Sequence, residues 1–455
     1  MIVRGGSVVT PEGVIAADIA VEDGRIREIA PDLAPDGEGG AGPEIDARGL
    51  TVLPGLIDVH VHFNEPGRTA WEGAATGSRA LAAGGGTMFF DMPLNSSPCT
   101  VGPKEFHEKQ AALEASSITD FALWGGLVPG NLDMLEPLAE RGAIGFKAFM
   151  TDSGLPEFPR ADDLTLYEGM CEAARLGLPV AVHAESDELV QALTGRALEA
   201  GRHGVRDYLD SRPVLAEVAA IQRAALLAGE AGARLHIVHI SSGRGVAAAL
   251  EARARGVDIS IETCAHYLYF TEEDMLRLGA VAKCAPPLRQ AAERKMLWRS
   301  VLRGDVDMVG SDHSPAPLAM KQDVNFFRIW GGIAGVQSTL AVLLELAPVE
   351  RIAALTAANP ARRFGLPRKG SLAIGNDADF TLVDTAAEFT VTRESLFQKH
   401  GLSPYLGAAF RGLVRRTVVR GETVFVDGQI VDGKIVGALK GRLIKPQHAP
   451  ARTDT

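Results

Sequence analysis

Asp58-Val-His60-Val-His62 sets two imidazoles two residues apart. In an extended chain residues i and i+2 share a face, so both rings can reach one divalent cation. Further along, Ile144-Gly-Phe-Lys147-Ala-Phe buries a lysine among apolar residues, where an ammonium is costly unless paired or modified. Three more apolar runs end in ligand-type side chains: Val-Ala-Val-His183, His236-Ile-Val-His239 and Val-Gly-Ser-Asp312-His313-Ser314. Core positions for isolated histidines would explain any one of these, but a shared metal-assisted site explains them together. His236 stands three residues before His239 and, by strand alternation, faces the other way as a supporting residue. His313 likewise faces away from Asp312. His266 lies just past its run with no role assigned. His107, His203, His400 and His448 fall in helical, loop or tail sequence and read as surface residues.

The elements that must position these groups form a regular series. Eight apolar, β-rich runs recur at 52–63, 86–93, 119–127, 143–150, 179–185, 234–241, 258–264 and 306–314. Between them lie segments with helical spacing, among them Asp162–Leu176, Pro213–Ala231 and Gly331–Leu346. Such alternation predicts parallel strands with crossover helices, and eight units close most simply into a (β/α)8 barrel, an α/β fold. The alternative is an open doubly wound sheet, but no G-x-G-x-x-G follows an early strand. In a barrel, functional side chains gather at the C-terminal strand ends, where the residues above stand.

The ends of the chain differ. Ile19-Ala-Val-Glu-Asp23-Gly24-Arg-Ile, and later Asp377-Ala-Asp-Phe-Thr-Leu-Val-Asp384 and Thr423-Val-Phe-Val-Asp427-Gly428, alternate apolar and polar residues, with Asp-Gly pairs at the turns. They predict antiparallel hairpins, and hence a small composite β-sandwich built from both termini. The expected division is 1–50 for the first part of the sandwich, 51–365 for the catalytic barrel, and 366–455 for the rest of the sandwich and a tail of about ten residues. Residues 34–43, rich in Gly, Ala and Pro, read as an exposed loop.

The 455 residues carry 46 basic and 57 acidic side chains, a net charge of −11. That balance argues against nucleic acid and anionic membranes as partners, since both select basic surfaces. No apolar run approaches the roughly 18 residues of a membrane helix, and the Met-Ile-Val-Arg start lacks a signal-peptide pattern. Four scattered cysteines without a C-x-x-C pair fit reduced thiols and a cytoplasmic location.

Pro54-Gly-Leu-Ile-Asp-Val-His-Val-His62 and Gly145-Phe-Lys-Ala-Phe-Met150 resemble the amidohydrolase superfamily, specifically its cyclic-amidase branch of dihydroorotases, dihydropyrimidinases or hydantoinases, and allantoinases. The resemblance spans nearly the whole chain. It implies that His60 and His62 bind one metal, that His183 and His239 bind the other, that a carbamylated Lys147 bridges them, and that Asp312 binds the first metal and moves the proton. Two divalent ions are then implied as cofactors, with zinc suited to the nitrogen and oxygen donors. A carbamate supplies an anionic bridge where a bare ammonium would repel both cations. The partner is a small-molecule substrate, and relatives of this branch imply a homotetramer. A ligand-free scaffold, as in some relatives of the branch, is disfavoured by the complete ligand set.

Within the branch, dihydroorotases have H-x-H-x-R, whose Arg grips a substrate carboxylate; here the residue is Asn64. Hydantoinases place a Tyr five residues past the lysine and favour Ser in S-P-P-L-R. This chain has Asp152 and Ala285-Pro-Pro-Leu-Arg289. Glu65-Pro-Gly-Arg68, Trp71-Glu-Gly73, Met92-Pro-Leu-Asn95, Trp330-Gly-Gly-Ile-Ala-Gly335 and His400-Gly-Leu-Ser-Pro-Tyr405 are similar to the allantoinase family. That similarity implies hydrolysis of allantoin to allantoate in purine (ureide) catabolism, with Asn64, Asn95, Ala285, Ser314 and Gly331 against the substrate. Hydantoinase or dihydropyrimidinase activity is the alternative, followed by dihydroorotase.

Overall fold

The computed structural model describes residues 1–33, 43–431 and 440–447. The loop expected at 34–43 is therefore seen only at Pro43, and His448 and the end of the tail lie outside the described residues.

Eight staves form the barrel: β1 (Leu56–Val61), β2 (Gly86–Asp91), β3 (Asp120–Leu123, continued by Gly125–Gly126), β4 (Phe146–Phe149), β5 (Pro179–His183), β6 (Arg234–Ile237), β7 (Ile259–Cys264) and β8 (Met308–Gly310). Neighbours pair in parallel from β1 to β3 and from β3 to β8. The ring closes where Val61 bridges His313 and the His62 N–H donates to the His313 carbonyl at 2.8 Å. Helices fill the crossovers. In the Asp163–Leu176 helix, the Asp162 carboxylate caps the Thr165 N–H at 2.8 Å, and Gly177 ends the helix at φ 71°, a left-handed conformation that costs glycine least.

Alternation on the staves separates two buried layers. Met88, Phe90, Ala122, Trp124, Ala181 and Met308 pack together. Phe89, Phe121, Val180, Val182, Leu235 and Ile237 join helix residues such as Leu166, Ile221 and Val246.

Both termini build one nine-stranded sheet. Ile2–Thr10, Gly13–Glu22 and Arg25–Ala30 pair in antiparallel succession, and Phe380–Thr390, Ala409–Val419 and Glu422–Val426 do likewise. Asp23 and Gly24 both have positive φ, as do Asp427 and Gly428, which is the geometry that makes an Asp-Gly pair a hairpin turn. Thr51–Pro54 joins the two halves by pairing with Ile2–Thr10 and Phe380–Thr390. The first apolar run, expected at 52–63 within the barrel, is therefore divided at Gly55 between sheet and barrel. The helix expected from Gly331 also differs. Residues 331–335 form no helix, Val336–Ser338 is a single 3-10 turn, and the α-helix covers only Thr339–Leu344. Gly332 has φ +146°, and a Cβ there would lie 2.1 Å from the Ser314 carbonyl oxygen, so the chain passes as bare backbone.

A buried ion network holds the sheet to the barrel. The Lys369 ammonium meets Asp120 of β3 at 2.8 Å, Asp377 at 3.0 Å and Asp379 at 2.6 Å, and Arg420 also contacts Asp120. Removing one partner of such a network leaves buried charge uncompensated. Lys369→Met is expected to cost about 3 kcal/mol, measured as a lower midpoint of denaturant unfolding. An unchanged midpoint would show that Arg420 alone satisfies the carboxylates.

Candidate active site

The C-terminal mouth of the barrel brings the sequence-selected groups together. His60 Nε2 lies 3.3 Å and His62 Nε2 3.4 Å from Asp312 Oδ1. All three offer ligand atoms within 4.8 Å of one another. His183 Nδ1 and His239 Nε2 face each other at 3.0 Å. The two pairs are adjacent, because the rings of His60 and His239 have centroids 5.3 Å apart. Two nitrogens aimed at one point, like two imidazoles converging on one carboxylate oxygen, form the donor set a divalent cation takes.

Lys147 is fully buried, and its Nζ has no hydrogen-bond partner among the described residues. It sits 5.1 Å from the Phe149 ring, which stacks on His183 at 4.5 Å. Burial pushes the Lys147 amine down to about 7. Burial also lowers His60, His183 and His239, and the Lys147 charge adds to the shift at each. The imidazoles are thus neutral, the form that ligates metal. For Asp312 burial acts upward, yet attraction to His60 and the hydrogen bond from His62 hold its carboxyl well below the usual range.

The backbone is bent to serve this mouth. Asn64, Asn95, His239 and Asp312 have φ of 60°, 71°, 39° and 45°. Side chains other than glycine rarely adopt such values, and they concentrate where function over-determines the chain.

The mouth opens into a cavity of about 430 Å³ whose wall includes Asn95, Ala285, Ser314 and Gly331. Asn95 Nδ2 donates to Ser314 Oγ at 3.3 Å. Asn64 is not part of that wall. Its side chain is buried with neither polar atom partnered among the described residues, because the chain turns at its positive φ and the Arg68 N–H closes back on its carbonyl at 3.1 Å. Arg68 pairs with Glu157 at 3.0 Å.

Two carboxylates escaped the sequence reading. Glu262 Oε1 accepts from His60 Nδ1 at 3.0 Å and from the His239 N–H at 3.1 Å, and its Oε2 accepts from His236 Nε2 at 2.9 Å. Burial alone would raise Glu262, but attraction to the His60 ring and the hydrogen bonds from His236 and His60 bring it to about 2. Glu185 Oε2 holds His183 Nε2 at 2.8 Å and pairs with Arg212 at 2.5 Å. The only local signal was an ionisable residue at a stave end, Glu262 within β7 and Glu185 two residues past His183.

His236 reaches Glu262 and does not face away from the mouth, contrary to the expectation from alternation. It shares a register row with Lys147, Ala181 and Ser260. The strand stops at Ile237 and His239 turns at positive φ, so alternation no longer relates the two histidines. His313 accepts main-chain N–H groups of Gly335 and Val336 at Nδ1, outside the ligand cluster. His266 is buried, and its Nε2 has no partner among the described residues.

The amidohydrolase family model matches residues 51–431. The chain belongs to the amidohydrolase family. This amidohydrolase is 69% identical over 435 residues to an allantoinase of Solibacter usitatus, covering 94% of each chain. It is 56% identical to an allantoinase of Rubrobacter xylanophilus, covering 98% of each. Among solved structures, the L-hydantoinase (dihydropyrimidinase) of Arthrobacter aurescens superposes on the amidohydrolase with a TM-score of 0.92 at 33% identity, over 98% of this chain and 99% of that one. These relatives put the amidohydrolase in the cyclic-amidase branch. Among its described residues no helix is long and apolar enough to cross a membrane.

Proposed function

We propose that this chain hydrolyses allantoin to allantoate, opening the hydantoin ring at a pair of divalent ions. The observation that carries the reading is the convergence at one barrel mouth of four imidazoles, Asp312 and a buried lysine without a hydrogen-bond partner among the described residues. Its similarity to allantoinases over nearly the whole chain supports the choice of ring. His60, His62 and Asp312 would hold one ion and His183 and His239 the other, with a carbamylated Lys147 between them. Zinc suits this donor set. Ions bound there supply Lewis-acid polarisation of the ring carbonyl and acidify the attacking water.

The protein's own groups do the rest. The Asp312 carboxylate, kept ionised, accepts the proton of the attacking water and returns it to the departing ring nitrogen. Asn95 and Ser314, with the main chain at Ala285 and Gly331, orient the ring against the cavity wall. The four cysteines, none in a disulfide, support a reducing cytoplasmic setting, and a homotetramer is proposed by analogy with the branch.

A substrate panel on one metal-defined preparation tests the reading. Allantoin should be turned over at least about 100-fold more efficiently than hydantoin, dihydrouracil or dihydroorotate, a ratio within what a few polar contacts supply. Vigorous hydrolysis of hydantoin or dihydrouracil with none of allantoin would reject the substrate.

Glu262→Gln should weaken metal retention about 10- to 100-fold, measured by competition with a chelator. The carboxylate holds the proton on His60 Nδ1, leaving the Nε2 lone pair, 3.3 Å from Asp312 Oδ1, available to a cation held between them. Wild-type retention in this variant would mean that packing alone orients His60.

A further inference from the structure

Residues 326–332 form one wall of the cavity, contributing Phe327, Arg328, Ile329, Trp330, Gly331 and Gly332. No regular helix or strand covers this segment. Two buried lysines take up most of its carbonyls. Lys283 Nζ donates to the carbonyls of Phe326 at 2.7 Å, Phe327 at 3.1 Å and Ile329 at 2.5 Å. Lys321 Nζ donates to those of Trp330 at 2.9 Å and Gly332 at 2.8 Å. Five of the seven carbonyls in the segment thus end on an ammonium. The Gly332 N–H is tied in turn to the Lys283 carbonyl at 2.7 Å.

Neither lysine pairs with a carboxylate among the described residues. The Lys283 ammonium lies 4.7 Å from the Tyr208 ring and 5.3 Å from that of Phe326. Burial pushes Lys283 down to about 7 and Lys321 to about 8. An apolar side chain would occupy either place without that cost. What it could not do is satisfy carbonyls that the segment, lacking a ladder or a helix, leaves open. Within this clamped stretch the Gly331 N–H and carbonyl have no partner among the described residues, and a Cβ added at Gly331 would meet nothing within 4 Å.

We infer that Lys283 and Lys321 are positioning residues, which clamp the main chain of 326–332 so that the Gly331 peptide is presented to the substrate ring. The inference rests on the reading that this cavity takes a cyclic amide. It adds a use for two lysines that neither the ligand set nor the proton transfer employs.

The test uses full-length, metal-loaded enzyme carrying Lys321→Met or Lys283→Met, with Lys321→Arg as the conservative variant. Each is assayed for kcat and KM on allantoin, for metal content, and for tryptic cleavage after the exposed Arg328, followed by mass spectrometry. Released from its clamp, the segment should be cut at least about tenfold faster, since local opening governs such cleavage. KM should rise about tenfold and more than kcat falls, the pattern of lost ground-state contact. Metal content should stay at the wild-type level, and Lys321→Arg should recover much of both effects. Folded Met variants with wild-type KM and wild-type cleavage would overturn the inference. Should a Met variant fail to fold, Lys321→Gln, which keeps an N–H donor but loses the charge, carries the same comparison against wild type. If wild-type enzyme leaves allantoin untouched while cleavage of the variants still accelerates, the substrate reading fails and the clamp stands. If allantoin is hydrolysed and neither quantity moves, the clamp fails alone.

Discussion

Lys147→Ala enzyme is expected to lose most of its divalent metal and at least about 10³-fold in kcat/KM, the scale reached when one member of a catalytic unit is removed. Lys147 is fully buried on β4, without a hydrogen-bond partner among the described residues. A bare ammonium there would have the Phe149 ring at 5.1 Å and attraction to Glu262 and Asp312 to set against its burial, and it would repel any cation held by His60, His183 or His239. Addition of carbon dioxide to the neutral amine, with release of a proton, converts it into an anionic oxygen donor that can serve two ions. The burial that drives the amine down to about 7 favours the form with a free lone pair. Truncation to alanine leaves room for a small acid, so acetate or propionate should restore part of both metal and activity. Elemental analysis beside turnover decides the matter. If Lys147 were merely an unmodified buried cation, its removal would relieve desolvation, stabilise the fold and leave metal content unchanged. That opposite sign would dispose of the bridging role.

Asp312→Asn should lower kcat by about 10² to 10⁴-fold, the range of general acid–base contributions, while the protein stays folded. Asp312 has φ 45°, and asparagine tolerates that left-handed conformation as readily as aspartate does. The backbone and shape are therefore kept and only the charge is removed. Without it, nothing at that position accepts the proton of the attacking water, and the oxygen on which His60 and His62 converge loses its anionic character. The check is a kcat measurement beside a thermal unfolding midpoint. A large fall in kcat with the midpoint nearly unmoved supports the proton-transfer role, and near wild-type kcat would remove Asp312 from it.

The four cysteines, the acidic balance and the strand–helix rhythm bounded the molecule, and the ligand-type residues were legible because each stands at the end of an apolar run. The i, i+2 spacing of His60 and His62 is a local property of an extended chain, as are the hairpins announced by Asp23-Gly24 and Asp427-Gly428. Burial of Lys147 could be read from its apolar neighbours alone. Other features were beyond such reading. His60 and Glu262 are 202 positions apart, and no periodicity relates them. Positive φ at His239 broke the alternation from which the orientation of His236 had been extrapolated, and the turn at Asn64, also at positive φ, keeps a residue that the family resemblance set against the substrate off the cavity wall. Thr51–Pro54 carries the same apolar signature as the first stave, and only its pairing partners separate the two.

The types of the ligand-type side chains and their order along the barrel were thus determined by the sequence itself, since both follow from neighbours a few residues away. Ring closure decided the carboxylates that orient those side chains and the lysines that clamp the opposite wall. A buried charge is tolerated only where partners converge on it in space, and that convergence exists only once the staves have come round to meet.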